Sequence, residues 1–463
     1  MLQKIFRKIF TPTRMIATSF ALLILLGTTL LSLPFSSPEN ESISFVNALF
    51  VATSAVCVTG LSPIDISTKL TFFGQIIVLI LMQLGGLGLM TFTTTLYFWF
   101  GQRLPITDRI AIQETFQATP KQIRQLILYI LGFTFSIEAI GATLLFIYWT
   151  IKGQFDSLWQ TLWFAIFHTV AAFTHGSFAL FSDSLIRFQK DFFVQFVITS
   201  LIILGGIGFL VAYEVKRWFD LKLFSTQKIN RFRLSVQSRL TLITTLGLII
   251  FGTLLIFISE RNLAFASFTS LEALMNSYFF AVVPRTSGFN TIQMTDFSGS
   301  GVLLLMILMF IGGSSGSAAG GIKVGTFGLL LAYTIARFRG QTQLNLWHRT
   351  IPQQSIDKAT AVVVASAGVI LIATAILMFT ETGGLSAQES QNKFVPIIFE
   401  TISAFGTVGL SLNFTDKLTE PGKIIVVLVM FVGRVGAITV ALAISLREKK
   451  KTFSYAEENI MIG

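Results

Sequence analysis

A chain of 463 residues that is 53% hydrophobic and only 12% charged is too apolar for an ordinary soluble domain. Its net charge of +11 needs no nucleic acid to explain it, because the basic residues are dealt out between apolar runs. A single cysteine, Cys57, excludes an internal disulfide framework and any multi-cysteine metal site.

Taken in order, Lys4, Arg7, Lys8 and Arg14 precede an apolar run at residues 15–33. That run is longer than a signal-peptide core and ends in Pro34-Phe35 with no small-x-small site after it, so it reads as a first span. Further apolar runs lie at 72–100, 126–151, 192–213, 240–258, 302–311, 359–379 and 424–445. Most reach the roughly 20 residues that cross a bilayer, which predicts eight spans, one of them interrupted.

Between paired spans lie shorter amphipathic stretches at 42–54, 159–172, 265–282 and 394–404. They are too short to cross and predict re-entrant segments, which a membrane tolerates only where protein or water shields their ends. Each leads into one copy of a degenerate motif: Ser54-Ala55-Val56-Cys57-Val58-Thr59-Gly60-Leu61, Ala171-Ala172-Phe173-Thr174-His175-Gly176-Ser177-Phe178, Val282-Val283-Pro284-Arg285-Thr286-Ser287-Gly288-Phe289 and Ser403-Ala404-Phe405-Gly406-Thr407-Val408-Gly409-Leu410. In one register the anchors are 60, 177, 288 and 409, separated by 117, 111 and 121 residues, the drifting period of duplicated units. The expectation is an all-α membrane protein: four tandem helix, pore helix, loop, helix repeats around a central pore. The repeats are bordered at 1–101, 102–217, 218–340 and 341–463, the last ending in a short cytoplasmic tail.

On the side of the N-terminus stand 23 of the lysines and arginines, against 9 on the other side, while acidic residues divide as 8 and 14. The positive-inside rule then puts both termini in the cytoplasm and brings all four motifs in from outside. An acidic outer face also gathers cations at the mouth.

Four glycine-centred loops suit a cation that must exchange its hydration shell for backbone carbonyls without meeting a buried fixed charge. Glycine reaches backbone angles that aim carbonyls inward. The candidate ion-binding residues are Val58, Thr59, Gly60, Gly176, Ser177, Thr286, Ser287, Gly288, Thr407, Val408 and Gly409. The spans after the loops carry a second signature: Leu84-Gly85-Gly86-Leu87-Gly88, Leu204-Gly205-Gly206-Ile207-Gly208, Ile311-Gly312-Gly313 and Val432-Gly433-Arg434-Val435-Gly436. Close helix packing accounts for most of these glycines. The third copy runs on as Gly312, Gly313, Ser314, Ser315, Gly316, Ser317, Ala318, Ala319, Gly320 and Gly321, which no regular helix accommodates at about 1 kcal/mol per glycine. It is no phosphate loop, because Ile322 separates Gly321 from Lys323 and no strand precedes it.

Arg434, alone in an apolar span, is read as facing the pore, either repelling cations or bonding carbonyls of the 312–321 loop. Lys323 lies lower in the same cavity or at an ordinary helix end. Glu138 either pairs with a basic group or faces a crevice. Glu272, Arg285 and Glu400 are read as bracing the loops. His168, His175 and His348 make no convincing metal or relay site, and no nucleophile and base stand together, so an enzyme is not expected. A solute-coupled secondary transporter, the rival reading, would want inverted repeats and midplane broken helices.

Val-Cys-Val-Thr-Gly-Leu at 56–61, Arg-Thr-Ser-Gly-Phe-Asn-Thr-Ile at 285–292, Ser-Ala-Phe-Gly-Thr-Val-Gly-Leu-Ser at 403–411 and the glycine-rich run at 312–325 resemble the Trk/Ktr/HKT superfamily of potassium transporters. With no extra helix pair ahead of the first repeat, the likeness is greatest to the Ktr-type membrane subunit. The resemblance implies a single-chain pseudo-tetramer resembling a potassium channel, monovalent cation uptake across the cytoplasmic (inner) membrane, a homodimer, and a cytoplasmic nucleotide-binding regulatory ring that carries the nucleotide in place of this chain. Potassium, with or without sodium, is then the transported or activating ion, held only at the loops, and no covalent cofactor is implied. The segment holding Gly312 to Gly321, with Lys323 and Arg434, corresponds to the family's gate. One departure is Thr174-His175-Gly176-Ser177-Phe178, where the family usually has Asn-Asn-Ala-Gly-Phe. Either Ser177 stands at the glycine position, where it narrows the ring and admits sodium, or Gly176 serves with the loop shifted by one residue. Membrane lipid and the regulatory ring both suit the basic segments at 216–239 and 447–451.

Overall fold

The computed structural model describes residues 12–38, 43–88, 120–224 and 233–436. Its helices follow one another in four sets, here called units, each with an outer helix, a short helix leading into a loop and an inner helix after it, and the second and third sets carry one helix more. The first unit is α1 (Pro12–Leu31), α2 (Phe45–Val56) and α3 (Phe72–Leu87); the second is α4 (Pro120–Lys152), α5 (Leu158–Phe173), α6 (Phe192–Gly206) and α7 (Phe209–Phe224). The third is α8 (Val236–Glu260), α9 (Ser270–Val282), α10 (Gly299–Phe310) and α11 (Val324–Phe338); the fourth is α12 (Gln353–Thr382), α13 (Ala387–Gly406) and α14 (Glu420–Val435).

The helix starts are written in the sequence. Side chains of Ser44, Thr71, Asp191, Ser235, Thr269, Ser298, Ser386 and Thr419 each accept a first-turn N–H. Glu272 and Glu389 complete capping boxes on α9 and α13. Glu272 therefore holds the start of its own helix rather than bracing a loop. In units three and four the last turn of the outer helix also caps the inner one. Glu260 accepts from Ser298 N at 3.2 Å and Oγ at 2.5 Å, and Glu381 from Thr419 N at 3.1 Å and Oγ1 at 2.6 Å. Gly301 and Gly422 leave room for those carboxylates, which a Cβ there would strike.

Among the described residues, three helices are long and apolar enough to cross a membrane, within Gln125–Lys152, Val236–Glu260 and Gln353–Thr382, and α6 with α7 makes a fourth if the bent pair is one span. The outward face of α8 exposes Ile243, Leu246, Ile250, Phe251, Leu254, Leu255 and Ile258, a surface suited to hydrocarbon rather than water. Each inner helix packs on the short helix of the next unit: α3 on α5, α6 on α9, α10 on α13, and α14 back on α2. Gly85, Gly205 and Gly433 are packing glycines, as expected, because a Cβ on each would strike the carbonyl of Val56, Phe173 or Phe405 at the end of a short helix.

Three features differ from expectation. The run at 192–213 is not one helix: α6 and α7 meet at 98°. Gly208, at φ +94°, makes the bend, and a Cβ there would lie 2.8 Å from Ser314 Oγ, so the 312–321 loop occupies the space that a straight helix would need. Because α7 runs through 217/218, that border between repeats falls inside a helix. Second, α3 and α14 stop at Leu87 and Val435, before Gly88 (φ +79°) and Gly436 (φ +95°). The rest of the expected runs to 100 and 445, and the basic segment at 447–451, lie outside the described residues. Third, the chain is not purely helical. Asn345–Leu346 pairs antiparallel with Arg349–Thr350 across a turn at Trp347 and His348, both at positive φ, between the third and fourth units.

Candidate ion ring and the loop beneath it

The four short helices α2, α5, α9 and α13 end in the motif loops. In three of these, alternate residues take left-handed backbone angles: Val58 and Gly60 (φ +54° and +87°), His175 and Ser177 (+62° and +63°), Thr407 and Gly409 (+51° and +96°). In the third loop Thr286 does so at +81°. Ser177 thus has the backbone position of Gly60 and Gly409, and Gly176 that of Thr59 and Val408. A non-glycine residue held there costs about 1 to 2 kcal/mol, so surrounding contacts must hold Ser177 in place.

Hydrogen bonds turn the loop amides back toward the helices that precede them. Thr59 N–H donates to Ser54 O (2.7 Å) and Gly60 N–H to Ser54 Oγ (2.9 Å). The fourth loop repeats this, with Val408 N–H on Ser403 O (2.8 Å) and Gly409 N–H on Ser403 Oγ (3.1 Å). In the second, Gly176 N–H reaches Ala171 O (2.8 Å), and in the third Ser287 N–H reaches Val283 O (2.8 Å). Gly288 N–H has no serine of its own and donates instead to Ser177 Oγ across the unit boundary at 2.7 Å.

The anchors converge. A Cβ on Gly60 would strike Ser177, one on Gly409 would strike Thr59 O, and one on Gly288 would strike Gly409. Ser177 Oγ also donates to Val408 O at 3.0 Å, linking the second loop to the fourth. His175 Nδ1 lies 3.0 Å from Thr286 O and 2.8 Å from Thr286 Oγ1, tying the second loop to the third. The hydroxyls of Thr59, Ser287 and Thr407 are buried without partners. Carbonyls and hydroxyls gathered at the C-terminal ends of helices, where the macrodipole is negative, form a donor set for a cation. Outside the ring opens a vestibule of about 510 Å³ with Gly60, Ser177, Gly288 and Gly409 at its base and Asp65 and Asp416 on its wall. Partial burial pushes the Asp65 carboxyl up, but hydrogen bonds, chiefly from the Ser67 hydroxyl, hold it below the usual carboxylate range.

Beneath the ring, residues 312–321 form an irregular loop closed by Gly312 N–H on Ile322 O (2.8 Å) and Val324 N–H on Gly313 O (2.9 Å). It seats in the break between α6 and α7. Ser314 N–H and Ala318 N–H satisfy Gly206 O (2.9 Å) and Gly205 O (3.3 Å), while Gly316 O accepts from Phe209 N–H (3.0 Å). A Cβ on Gly320 would strike Thr407, so the loop lies directly against the fourth motif. Arg434 donates from Nη1 to Ala318 O and from Nη2 to Gly85 O, joining the loop to α3 and α14. Lys323 turns back into the loop, Nζ to Ala319 O at 2.8 Å.

Other candidates sort differently. Glu400 accepts from the Ser411 and Thr415 hydroxyls and secures the chain beyond the fourth loop. Arg285 is buried, with Nε unpartnered, and makes no bond to Glu272. His168 Nε2 accepts from Leu180 N–H at 3.3 Å, a structural role. Among the described residues, no group of His, Cys, Asp or Glu side chains that could hold a metal ion occurs. Glu138 meets Gln83, not a basic group. Sequence reading missed Ser54 and Ser403 as loop holders, although both stand six residues before an anchor.

A bundle with a greasy perimeter, four convergent loops and an oxygen-lined ring defines a membrane-spanning cation transporter. The chain belongs to the TrkH family of cation transport proteins, whose family model matches residues 3–455. It is 36% identical over 466 residues to the potassium/sodium uptake protein NtpJ of Enterococcus hirae, covering 100% of this chain and 99% of that one. It is also 36% identical over 459 residues to the Ktr system potassium uptake protein B of Bacillus subtilis, covering 98% and 97%. The fold matches the potassium transporter TrkH of Vibrio parahaemolyticus with a TM-score of 0.70 at 18% identity, over 93% of this chain and 85% of that one.

Proposed function

We propose that this chain is the ion-translocating subunit of a Ktr-type system, taking up potassium, with some sodium, through the centre of four repeats that together supply eight spans. In this reading the ring comprises Val58, Thr59, Gly60, Gly176, Ser177, Thr286, Ser287, Gly288, Thr407, Val408 and Gly409. The gate is the loop Gly312, Gly313, Ser314, Ser315, Gly316, Ser317, Gly320 and Gly321, held by Lys323 and Arg434. The convergence of Gly60, Ser177, Gly288 and Gly409 on one point carries the reading, since four sequence-distant anchors meet only if the units surround an axis. Ser177 stands at the glycine position, and its hydroxyl engages Val408 O, which leaves that carbonyl less available to an ion and so favours admission of sodium.

Both termini lie in the cytoplasm, the protein works as a homodimer in the cytoplasmic membrane, and a nucleotide-binding ring docks on the basic face. Lys216 and Lys222, stacked over Tyr129 and Trp218, belong to that face. Rubidium uptake by liposomes holding only this chain tests the function. Saturable uptake that potassium inhibits more strongly than sodium is expected, and protein-independent leakage would refute it. Nucleotide-dependent flux on adding a cognate ring protein tests the partner.

A further inference from the structure

Where α4 ends and α6 begins, on the vestibule side and apart from the ring, a groove of about 590 Å³ opens between the two helices. Tyr148 and Lys152 of α4 line it together with Arg187, Lys190, Asp191 and Phe193. Of the nine lysines and arginines that the sequence puts on this side, three meet here, although acidic residues are the more numerous on that side as a whole. Hydrogen bonds fix the walls. Tyr148 Oη donates to Asp191 Oδ2 at 2.9 Å, its ring stacks on Phe193 at 4.4 Å, and Asp191 Oδ1 accepts from Val194 N–H at 3.1 Å. Gln189 O accepts from Gln195 Nε2 at 3.0 Å and from Asn276 Nδ2 at 2.9 Å, which pins the backbone beside Lys190. Asn276 Oδ1 in turn accepts from Thr291 Oγ1 at 2.7 Å, so the same segment is tied to the chain just past the third loop.

The nearby carboxylates are already engaged. Asp191 caps α6 and holds Tyr148, Asp183 pairs with Arg187 at 2.8 Å, and Glu272 caps α9 and acts on Lys190 only as a more distant charge. Lys152 and Lys190 are exposed and form no ion pair among the described residues; their ammonium groups stand 5.8 Å from the ring centroids of Tyr148 and Phe268. From the groove the surface turns apolar along the same two helices. Leu144, Ile147 and Ile151 on α4 and Phe192 and Phe196 on α6 are all exposed, the two phenylalanine rings stacked at 6.0 Å. Lysines at the ends of hydrocarbon-facing helices stand at headgroup depth, where tyrosine rings also belong. A soluble anion would use only the ammonium groups, whereas a phospholipid uses them and the apolar surface that continues from them, and this continuity decides the occupant. We propose that the groove binds a membrane phospholipid, its phosphate met by Lys152 and Lys190 and its acyl chains lying along α4 and α6.

The test uses the purified full chain in a non-ionic detergent, titrated with a phosphatidylglycerol that carries a photoreactive diazirine in one acyl chain. After irradiation the labelled peptides are mapped by mass spectrometry. Saturable labelling of residues 144–152 and 192–196 is expected, and a diacylglycerol with the same photoreactive chain, which lacks the phosphate, should label them weakly. Lys152→Gln and Lys190→Gln should each raise the half-saturating concentration about fivefold, as a contribution of about 1 kcal/mol per lysine near a membrane surface requires. Both side chains are exposed, so neither substitution opens a cavity. Lys69→Gln, which removes an exposed charge elsewhere on the vestibule side, should leave the titration unchanged. Equal labelling by the diacylglycerol overturns the proposal, as does an unchanged half-saturation in the Lys152→Gln/Lys190→Gln double variant. An equal loss in Lys69→Gln would mean diffuse surface charge in place of a site, and displacement of the lipid by inorganic phosphate would make the occupant a free anion; either refutes the assignment.

Discussion

The first and fourth motif loops are built alike, and the second and third are built differently. Ser54 and Ser403 each stand six residues before an anchor glycine and accept its N–H, whereas the second and third units have Ala171 and Val282 at that place. Without a serine of its own, the third loop borrows one: Gly288 N–H donates to Ser177 Oγ. The serine that looks like a defect in the glycine pattern therefore supplies a hydroxyl that its neighbour lacks. A buried amide left unpaired costs about 1 to 3 kcal/mol, which is reason enough to keep a side chain at a strained position.

The sharpest way to break the asymmetry is to copy the serine into the loop that does not need it. Gly409→Ser places a Cβ at φ +96° against Thr59 O. Strain of about 1 to 3 kcal/mol with the collision should cut rubidium flux roughly hundredfold at matched protein amounts. A near-normal flux would show that the fourth loop is not part of the ring.

A second contrast involves the inner helices, where Arg434 takes the place of Gly86 and Gly206 in the aligned signature. Its two charged donors hold Ala318 O and Gly85 O, each such bond being worth about 1.5 to 3 kcal/mol. Arg434→Ala should raise flux about tenfold and leave the potassium-to-sodium ratio nearly unchanged, because the ring is untouched. Slower transport by a normally folded variant would make the arginine a structural support.

Smaller in flux, but most specific to the asymmetry, is Ser177→Gly. It should lower thermal stability in detergent by about 1 to 3 kcal/mol through the orphaned Gly288 amide and raise the potassium-to-sodium preference. Adding Val282→Ser gives the third unit the serine of the first and fourth, and should recover about 1 kcal/mol while keeping the new selectivity. Failure of that rescue would mean that the Gly288 amide is held in another way. Ser54→Ala or Ser403→Ala alone removes one such bond and should cost about 1 kcal/mol of stability.

The smallest effect belongs to the vestibule. Asp65→Asn should reduce uptake less than about twofold at low ionic strength and not at all in high salt, where surface charges are screened. Because the Asp65 carboxyl is held below its ordinary range, this contribution should persist into mildly acidic solution and vanish only as pH falls through that lowered value.

Composition and periodic apolar runs were enough to predict a mostly helical membrane protein, because span length and hydropathy are local properties that a bilayer imposes directly, and the spaced motifs brought forward positions 60, 177, 288 and 409, which the fold sets against one another. The irregularity of 312–321 was legible for the same reason, since consecutive glycines oppose a helix wherever they lie. Other features waited on the tertiary structure. The bend at Gly208 exists because the 312–321 loop fills its inner side, and no residue of α6 or α7 announces a loop more than a hundred positions away. Glu138 did not read as a partner of Gln83, nor Glu260 and Glu381 as caps for Ser298 and Thr419, because those pairings join helices whose relative placement is set by packing around the axis. Ser177 shows the limit most plainly. Its departure from glycine is visible in the sequence, but the hydrogen-bond partners that give it a purpose, Gly288 N and Val408 O, belong to two other units and are brought to it only when the ring closes.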